Sequence, residues 1–164
     1  MPLQILLVED NPGDRRLTQE AFRDINPLIR VYVAHDGAEA MAFLRHEGAQ
    51  AAAPRPDLIL LDLNMPKMDG RDVLARIKED EDLEDIPTIV LTSSEAEADI
   101  VKSYQLGANC YLCKPMHFDA FYSLMKSLND FWLTRVKLHA DDREVGQKAS
   151  LGRGLPTAET NFSP

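Results

Sequence analysis

Three acidic side chains of the sequence follow apolar runs that are typical of buried β-strands. Glu9 and Asp10 come after residues 4–8, and Asp62 comes after residues 58–61. A carboxylate beside an apolar interior is costly unless it is paired, although each of these acids alone could be a helix cap or a turn residue. Carboxylates brought close together raise one another's pKa or recruit a cation. Hard oxygen ligands favour Mg²⁺ or a similar divalent ion.

Two further side chains lie at predicted strand ends and extend this chemistry. Thr92 follows residues 86–91, and Lys114 follows residues 109–113. An aspartate in such a site can attack phosphorus and form an aspartyl-phosphate. Phosphoryl transfer requires mainly positioning and charge neutralisation, and a lysine can pair with phosphate oxygens as a point charge. The Thr92 hydroxyl could donate one more hydrogen bond. Alone, this threonine is a strand-end hydroxyl and this lysine a solvated loop residue. The coincidence of these residues at one edge favours a single site.

The elements that would position these residues alternate between strand and helix. We predict strands at residues 4–8, 29–34, 57–61, 86–91 and 109–113. We predict helices at about residues 14–25, from an N-cap at Asp36 to near Gly48, around 73–77, at 95–106 and at 118–136. Apolar strands in this alternation indicate a parallel sheet with helices on both faces. Right-handed crossovers then bring every strand's carboxyl end to the edge where ligands bind in such folds.

Length and composition indicate one globular domain with a polar extension. The chain has 164 residues and a formal net charge of −9, which argues against a broad nucleic-acid surface because phosphate binding requires an excess of Lys and Arg. No apolar stretch approaches the roughly 18–20 residues of a membrane helix, and the N-terminus has no secretory signal pattern. We therefore expect a cytoplasmic protein with a folded domain at residues 1–136, a polar tail at 137–164 and no effector domain.

Four motifs in this order resemble the response-regulator receiver domains of two-component signalling. They are VEDN at residues 8–11, LLDLNMPKMDG at 60–70, LTSS at 91–94 and YLCKP at 111–115. The resemblance covers about residues 3–136. It implies a flavodoxin-like, doubly wound α/β fold with a five-stranded parallel sheet in the order 2-1-3-4-5 and helices on both faces.

On this resemblance, Asp62 is the phosphoacceptor and receives its phosphoryl group from a phosphohistidine of a histidine kinase. Glu9, Asp10 and Asp62, with the backbone carbonyl of Asn64, would hold Mg²⁺. Glu9 stands where many relatives have Asp, which keeps the charge and adds a methylene.

The resemblance also assigns roles at the ends of the last two strands. Thr92 and Tyr111 match the switch pair of the family, and Lys114 matches the lysine that contacts the phosphoryl group. The peptide bond between Lys114 and Pro115 is implied to be cis.

The segment LNDFWLTRVKL at residues 128–138 and the long loop before the third strand resemble phytochrome-associated single-domain regulators. The implied partner is a histidine kinase, in particular a bacteriophytochrome, with no nucleic acid and no membrane. On a helical wheel, the apolar residues of the last helix fill an arc of about 200°, more than the stripe of about 100° that packs on a sheet. We therefore expect a homodimer through the last helix and the fifth strand, unless the tail covers this face.

Two other functions fit parts of the sequence. A metal-dependent phosphatase with an Asp nucleophile has a second Asp two residues later as its acid and base, whereas this chain has Asn64, which cannot exchange a proton. Cys110 and Cys113 form a C-x-x-C pattern, as in redox proteins. On a strand, however, their Cα atoms would be about 10 Å apart, which is beyond the roughly 7 Å limit for a disulfide.

Overall fold

The computed structural model describes residues 3–63, 65, 70–92, 104–105, 107–108, 110–115 and 117–130. Five parallel strands form one sheet in the order β2-β1-β3-β4-β5. The strands are β1 (Leu3–Val8), β2 (Ile29–Ala34), β3 (Leu58–Leu61), β4 (Thr88–Thr92) and β5 (Cys110–Cys113). The predicted strand order and parallel pairing are confirmed.

Helices pack on both faces of this sheet. They are α1 (Pro12–Ile25), α2 (Gly37–Arg45), α3 (Gly70–Glu79) and α4 (Phe118–Leu128), with a short 3₁₀ helix at Gly48–Gln50. Apolar residues of α2 and α3 form one core with one face of the strands, and those of α1 and α4 form a second core with the opposite face. The doubly wound arrangement is confirmed for these helices. No described helix is long and apolar enough to cross a membrane.

Local side-chain chemistry sets the ends of the first two helices. The Asn11 side chain accepts a hydrogen bond from the Asp14 N–H at 3.0 Å, and Pro12 occupies the first helical position, where its missing N–H has no cost. Helix α1 therefore begins two residues before the predicted start. Asp36 caps α2 as predicted. That helix ends at Arg45, before the predicted end near Gly48, because His46 adopts a left-handed conformation with φ 57°.

The fourth strand also begins later than predicted, at Thr88. Ile86 and Pro87 precede the strand, and Pro87 contributes only its carbonyl, which accepts a hydrogen bond from the Ile59 N–H at 2.9 Å. Proline has no N–H to donate to the ladder. The predicted helix at residues 95–106, the end of the last helix at 131–136 and the tail at 137–164 lie wholly or mostly outside the described residues.

The register of the central strands brings the predicted site residues to one edge. Val8 pairs with Ala34 on one side and with Leu61 on the other. The ladder continues one residue further, because the Glu9 N–H donates to Ala34 O and the Asp62 N–H donates to Val8 O, both at 3.0 Å. The backbones of these two acids are therefore fixed by the sheet itself.

Candidate functional site

Three carboxylates converge at the carboxyl edge of β1 and β3. One oxygen each of Glu9, Asp10 and Asp62 lies within 4.8 Å of the others. Glu9 and Asp62 are buried, with exposed fractions of 2% and 7%, and Asp10 is half-buried. The donors are hard anionic oxygens at mutual distances that a single ion can span, which is the ligand type that Mg²⁺ and similar divalent cations bind. The cluster therefore fits a divalent metal ion.

Lys114 brings a positive charge into this cluster from the end of β5. Its Nζ donates a short hydrogen bond to Glu9 Oε1, a second bond of 2.9 Å to Asp14 Oδ2, and lies 3.6 Å from Asp62 Oδ2. The last distance is too long for a hydrogen bond and defines an ion pair. The lysine side chain is only 10% exposed. Its ammonium group is thus near enough to Asp62 to reach a phosphoryl group there.

Burial and neighbouring charges shift the pKa values of both Glu9 and Lys114. Burial of the Glu9 carboxyl raises its pKa from 4.5 to about 8, and a hydrogen bond with Asp62 acts in the same direction, although Lys114 lowers it. Burial alone would lower the pKa of Lys114, but the hydrogen bond to Glu9 and the charges of Glu9 and Asp62 outweigh it, so the pKa lies above 10.5. The lysine is therefore charged. The raised pKa of Glu9 means that this group of acids takes up further positive charge, either as a proton on Glu9 or as an added cation.

Two residues at the start of α1 belong to the site and are missing from the sequence prediction. Asp14 binds the Lys114 ammonium, and the Arg15 Nη1 donates to the carbonyl oxygens of Glu9 at 3.2 Å and Asp10 at 2.8 Å. Arg15 therefore fixes the backbone that presents the acid pair. Their place in the sequence could have indicated this role, since both residues lie in the first turn of a helix that begins directly at the predicted edge.

Gly70, the last residue of the second motif, is required by close packing. A Cβ atom at this position would lie 2.2 Å from the Asp62 carbonyl oxygen and 2.6 Å from the Leu63 Cα. The Gly70 N–H also donates to Leu63 O at 3.0 Å. Helix α3 thus begins against the backbone of Asp62, and only a glycine allows this approach.

The other predicted site residues are described in part. Asn64 lies outside the described residues. Thr92 lies at the end of β4, as predicted, and its backbone is paired with Cys113. Tyr111 is half-buried on β5 and packs against the core formed with α2 and α3. Whether Thr92 and Tyr111 act as a switch pair stays a prediction.

Two expectations about β5 and its end have clear outcomes. No peptide bond between described residues is cis, so the Lys114–Pro115 bond is trans and the implied cis isomer is wrong for this structure. The trans form of an X–Pro bond is intrinsically preferred by about 0.5–1 kcal/mol. Cys110 and Cys113 lie on one strand, as predicted, and no disulfide joins them.

Sequence comparison places this geometry in a family. A family model described as "Response regulator receiver domain" matches residues 5–126. The chain belongs to the response regulator receiver family. Response regulator Rcp1 of Synechocystis sp. is 46% identical over 139 residues, which are 85% of this chain and 95% of that protein.

Solved structures of phytochrome response regulators are similar to the chain. The phosphorylated cyanobacterial phytochrome response regulator RcpA has 50% identity and a TM-score of 0.78, covering 81% of this chain and 95% of its own. The Mn²⁺-bound form of Rcp1 has 46% identity and a TM-score of 0.75, covering 80% and 95%. The bacteriophytochrome response regulator AtBRR has 42% identity and a TM-score of 0.66, covering 80% and 96%.

Membership in this family defines the general function of the chain. Receiver domains are signalling modules that accept a phosphoryl group from a histidine kinase, so this chain is a response regulator of a two-component system. The relatives named above are response regulators, which gives no support to the phosphatase alternative. One of them is a metal-bound form, in agreement with the acidic cluster at this site.

Proposed function

We propose that Asp62 is the phosphoacceptor and that Glu9, Asp10, Asp62 and the Asn64 backbone carbonyl hold Mg²⁺ beside it. The observation that carries this proposal is the convergence of three acids within 4.8 Å and of the Lys114 ammonium at 3.6 Å from Asp62. When bound, the metal supplies positive charge that neutralises phosphoryl oxygens. Lys114 supplies the second positive charge.

The transfer itself is a displacement at phosphorus. An Asp62 carboxylate oxygen attacks the phosphorus atom of a phosphohistidine, the new P–O bond forms, and the P–N bond breaks with its electron pair left on the imidazole nitrogen. The sheet holds Asp62 in place through its backbone N–H, and Lys114 contacts a phosphoryl oxygen. The domain thus catalyses its own phosphorylation and slow dephosphorylation, without turning over an external substrate.

Phosphorylation would act on the face formed around β4 and β5. A phosphoryl group adds about −1.5 to −2 charges and strong acceptor oxygens. We propose that the Thr92 hydroxyl moves towards them and that Tyr111, which is half-buried on β5, turns inward. This exchange would shift a two-state equilibrium of a partner-binding face.

The upstream partner that we propose is a histidine kinase of the bacteriophytochrome type, in the cytoplasm. Support comes from the phytochrome response regulators to which the chain is similar along about four-fifths of its length. In this proposal the receiver domain covers residues 1–136. Phosphotransfer from a panel of purified histidine kinases, compared at equal concentration, would identify the partner.

The central proposal is tested by labelling with acetyl phosphate and Mg²⁺. Wild-type protein should acquire hydroxylamine-sensitive label, and Asp62→Asn should acquire none because the nucleophilic oxygen is missing. The matched control is Asp72→Asn, which removes an exposed carboxylate from α3 and should label normally. Undiminished label on Asp62→Asn would contradict the assignment.

We also propose a homodimer through the last helix and β5. On α4, Phe118 is 56% exposed and contacts Tyr122, with ring centroids 6.3 Å apart. Aromatic side chains are enriched in interfaces. Light scattering at micromolar concentration should show a dimer that Phe118→Ser weakens. Leu28→Ser is the control, because Leu28 is 64% exposed and lies before β2. A monomer with and without phosphorylation would contradict the interface, whereas dimers created by removing residues 137–164 would show that the tail covers this face.

A further inference from the structure

One partner of Lys114 lies outside the acidic cluster. The Lys114 Nζ is 2.9 Å from Asp14 Oδ2 and 3.6 Å from Asp62 Oδ2. Among the described residues, the cluster whose oxygens lie within 4.8 Å of one another contains Glu9, Asp10 and Asp62 but not Asp14. Asp14 therefore interacts with the lysine without being one of the proposed metal ligands.

The first turn of α1 fixes the position of Asp14. Its N–H donates to the Asn11 side chain at 3.0 Å, and its carbonyl oxygen accepts from the Thr18 hydroxyl at 2.8 Å. The side chain is 37% exposed, against 3% for Glu9 and 8% for Asp62. The carboxylate is thus held at the rim of the site, on the α1 side of Lys114.

The other carboxylates around Lys114 change their role when the site is loaded. A divalent cation draws on the charge of Glu9 and Asp62, and a phosphoryl group on Asp62 offers the lysine new acceptor oxygens. Asp14 is not one of the proposed metal ligands, so its carboxylate stays available to the ammonium group. It is then the group that competes with the phosphoryl oxygens for Lys114.

We propose that Asp14 is a positioning residue that holds the Lys114 ammonium on the α1 side of the site and restrains its transfer to the phosphoryl group on Asp62. This inference rests on the proposed function of Asp62. An acid at this position slows phosphorylation, because part of the interaction with Asp14 must be lost as the lysine approaches the reacting phosphorus.

The test is the rate of labelling by acetyl phosphate at saturating Mg²⁺. Asp14→Asn should raise the rate constant by about two- to fivefold, the range expected for loss of a competing, partly exposed ion pair. Asp14→Glu, which restores the carboxylate, should be close to wild type. Asp24→Asn removes an exposed acid from the same helix and should leave the rate unchanged. Equal or slower labelling of Asp14→Asn would overturn the proposal.

A second measurement separates positioning from a general effect of charge on the anionic donor. In a Lys114→Met background, labelled over longer times, Asp14→Asn should have no effect, because the group that it restrains is gone. The same acceleration in both backgrounds would overturn the role of Asp14. If wild-type protein takes up no label at Asp62, the proposed function fails. A labelled wild type that Asp14→Asn does not accelerate contradicts only the present inference.

Discussion

In the described part of the chain, two acidic regions can be compared, and each contacts or adjoins a partly buried lysine. At the carboxyl edge of the sheet, Lys114 binds the carboxylates of Glu9 and Asp14. The second region is the sequence EDEDLED at residues 79–85, which begins at the last residue of α3 and leads towards β4. Lys78, which precedes it, donates instead to the backbone carbonyls of Glu84 at 3.0 Å and Ile86 at 3.3 Å. The pKa of Lys114 is raised, whereas burial lowers that of Lys78 despite the charges of Asp85 and Glu84.

The difference shows that the number of acidic residues does not define a site. The segment at residues 79–85 has more acids than the sheet edge, but most of them are exposed and follow one another along a turn. The acids at the edge come from two strands and meet because parallel strands end together. Convergence of buried carboxylates favours a cation, whereas the exposed segment uses its lysine to satisfy backbone carbonyls.

The sharpest test of this contrast is to remove each lysine in turn. Lys114→Ala should reduce the labelling rate by about 10- to 100-fold, corresponding to a charge-assisted hydrogen bond of about 1.5–3 kcal/mol. Lys78→Ala should leave the labelling rate within about a factor of two of wild type, because it is remote from the site. It should lower the free energy of unfolding by about 1–3 kcal/mol, because two backbone carbonyls lose their hydrogen-bond donor. Labelling rates measure the first effect, and urea titrations measure the free energy of unfolding. If Lys114→Ala mainly lowered the free energy of unfolding, the proposed difference between the two lysines would be wrong.

Each region also depends on a glycine, with different consequences. Gly70→Ala places a Cβ against the backbone of Asp62 and Leu63, so it should lower the free energy of unfolding by about 1–3 kcal/mol and slow labelling as well. Gly107 has φ 97°, and a Cβ there would lie 2.9 Å from the Lys78 Cγ.

Gly107→Ala should therefore lower stability through backbone strain of about 1–2 kcal/mol without changing the labelling rate of the folded protein. Thermal unfolding and acetyl phosphate labelling of the same samples give both quantities. Slower labelling of Gly107→Ala under conditions where it is folded would show that the two regions are coupled.

The metal site can be tested with one acid from each region. Asp10→Asn should raise the Kd for Mg²⁺ by about tenfold, which is a loss of about 1.4 kcal/mol, because one hard ligand of the cluster is neutral. Asp82→Asn, an exposed acid of the other region, should leave the Kd unchanged. Isothermal titration calorimetry measures both, and EDTA should suppress labelling of wild-type protein. Labelling that persists in EDTA would contradict the metal site.

The smallest effect concerns pH and Lys78. Because its pKa in the folded protein is lower than 10.5, the unfolded chain binds more protons between these two pKa values, and stability rises with pH across that window. The charged groups facing this lysine are Glu84 and Asp85. The unfolding free energy of wild type relative to Lys78→Met should therefore increase as pH rises towards 10.5. A relative decrease would show that Lys78 is stabilised in its charged form.

The strands and their acidic ends could be predicted because they depend on local pattern. Apolar runs predict β1 and β3, and parallel strands must end together, so Asp62 and Lys114 follow from the sequence. Asp36 was predicted as a cap because capping depends on residues within one turn. Contacts between elements could not be predicted in this way.

Asp14 pairs with a lysine 100 residues away, and no local pattern contains that information. The requirement for glycine at position 70 could not be predicted either, because it depends on how closely the start of α3 approaches the backbone that follows β3. Helix α1 begins at Pro12 because the Asn11 side chain caps it. Other nearby residues, such as Asp14, are also of a type that caps helices, so the sequence alone left the start of the helix open.

The continuation of the ladder to Glu9 and Asp62 divides the site into parts of unequal local stability. The acids extend β1 and β3, which each have a neighbouring strand on both sides. The amide nitrogens of Glu9 and Asp62 lie 3.0 Å from Ala34 O and Val8 O, so we expect their protons to exchange slowly with solvent. Lys114 follows β5, an edge strand of four residues whose side chains are at least partly exposed. Hydrogen exchange on phosphorylation would accordingly change first along β5, while the protection of the acid pair stays constant. We therefore expect the backbone of Glu9 and Asp62 to open less readily than the strand that precedes Lys114.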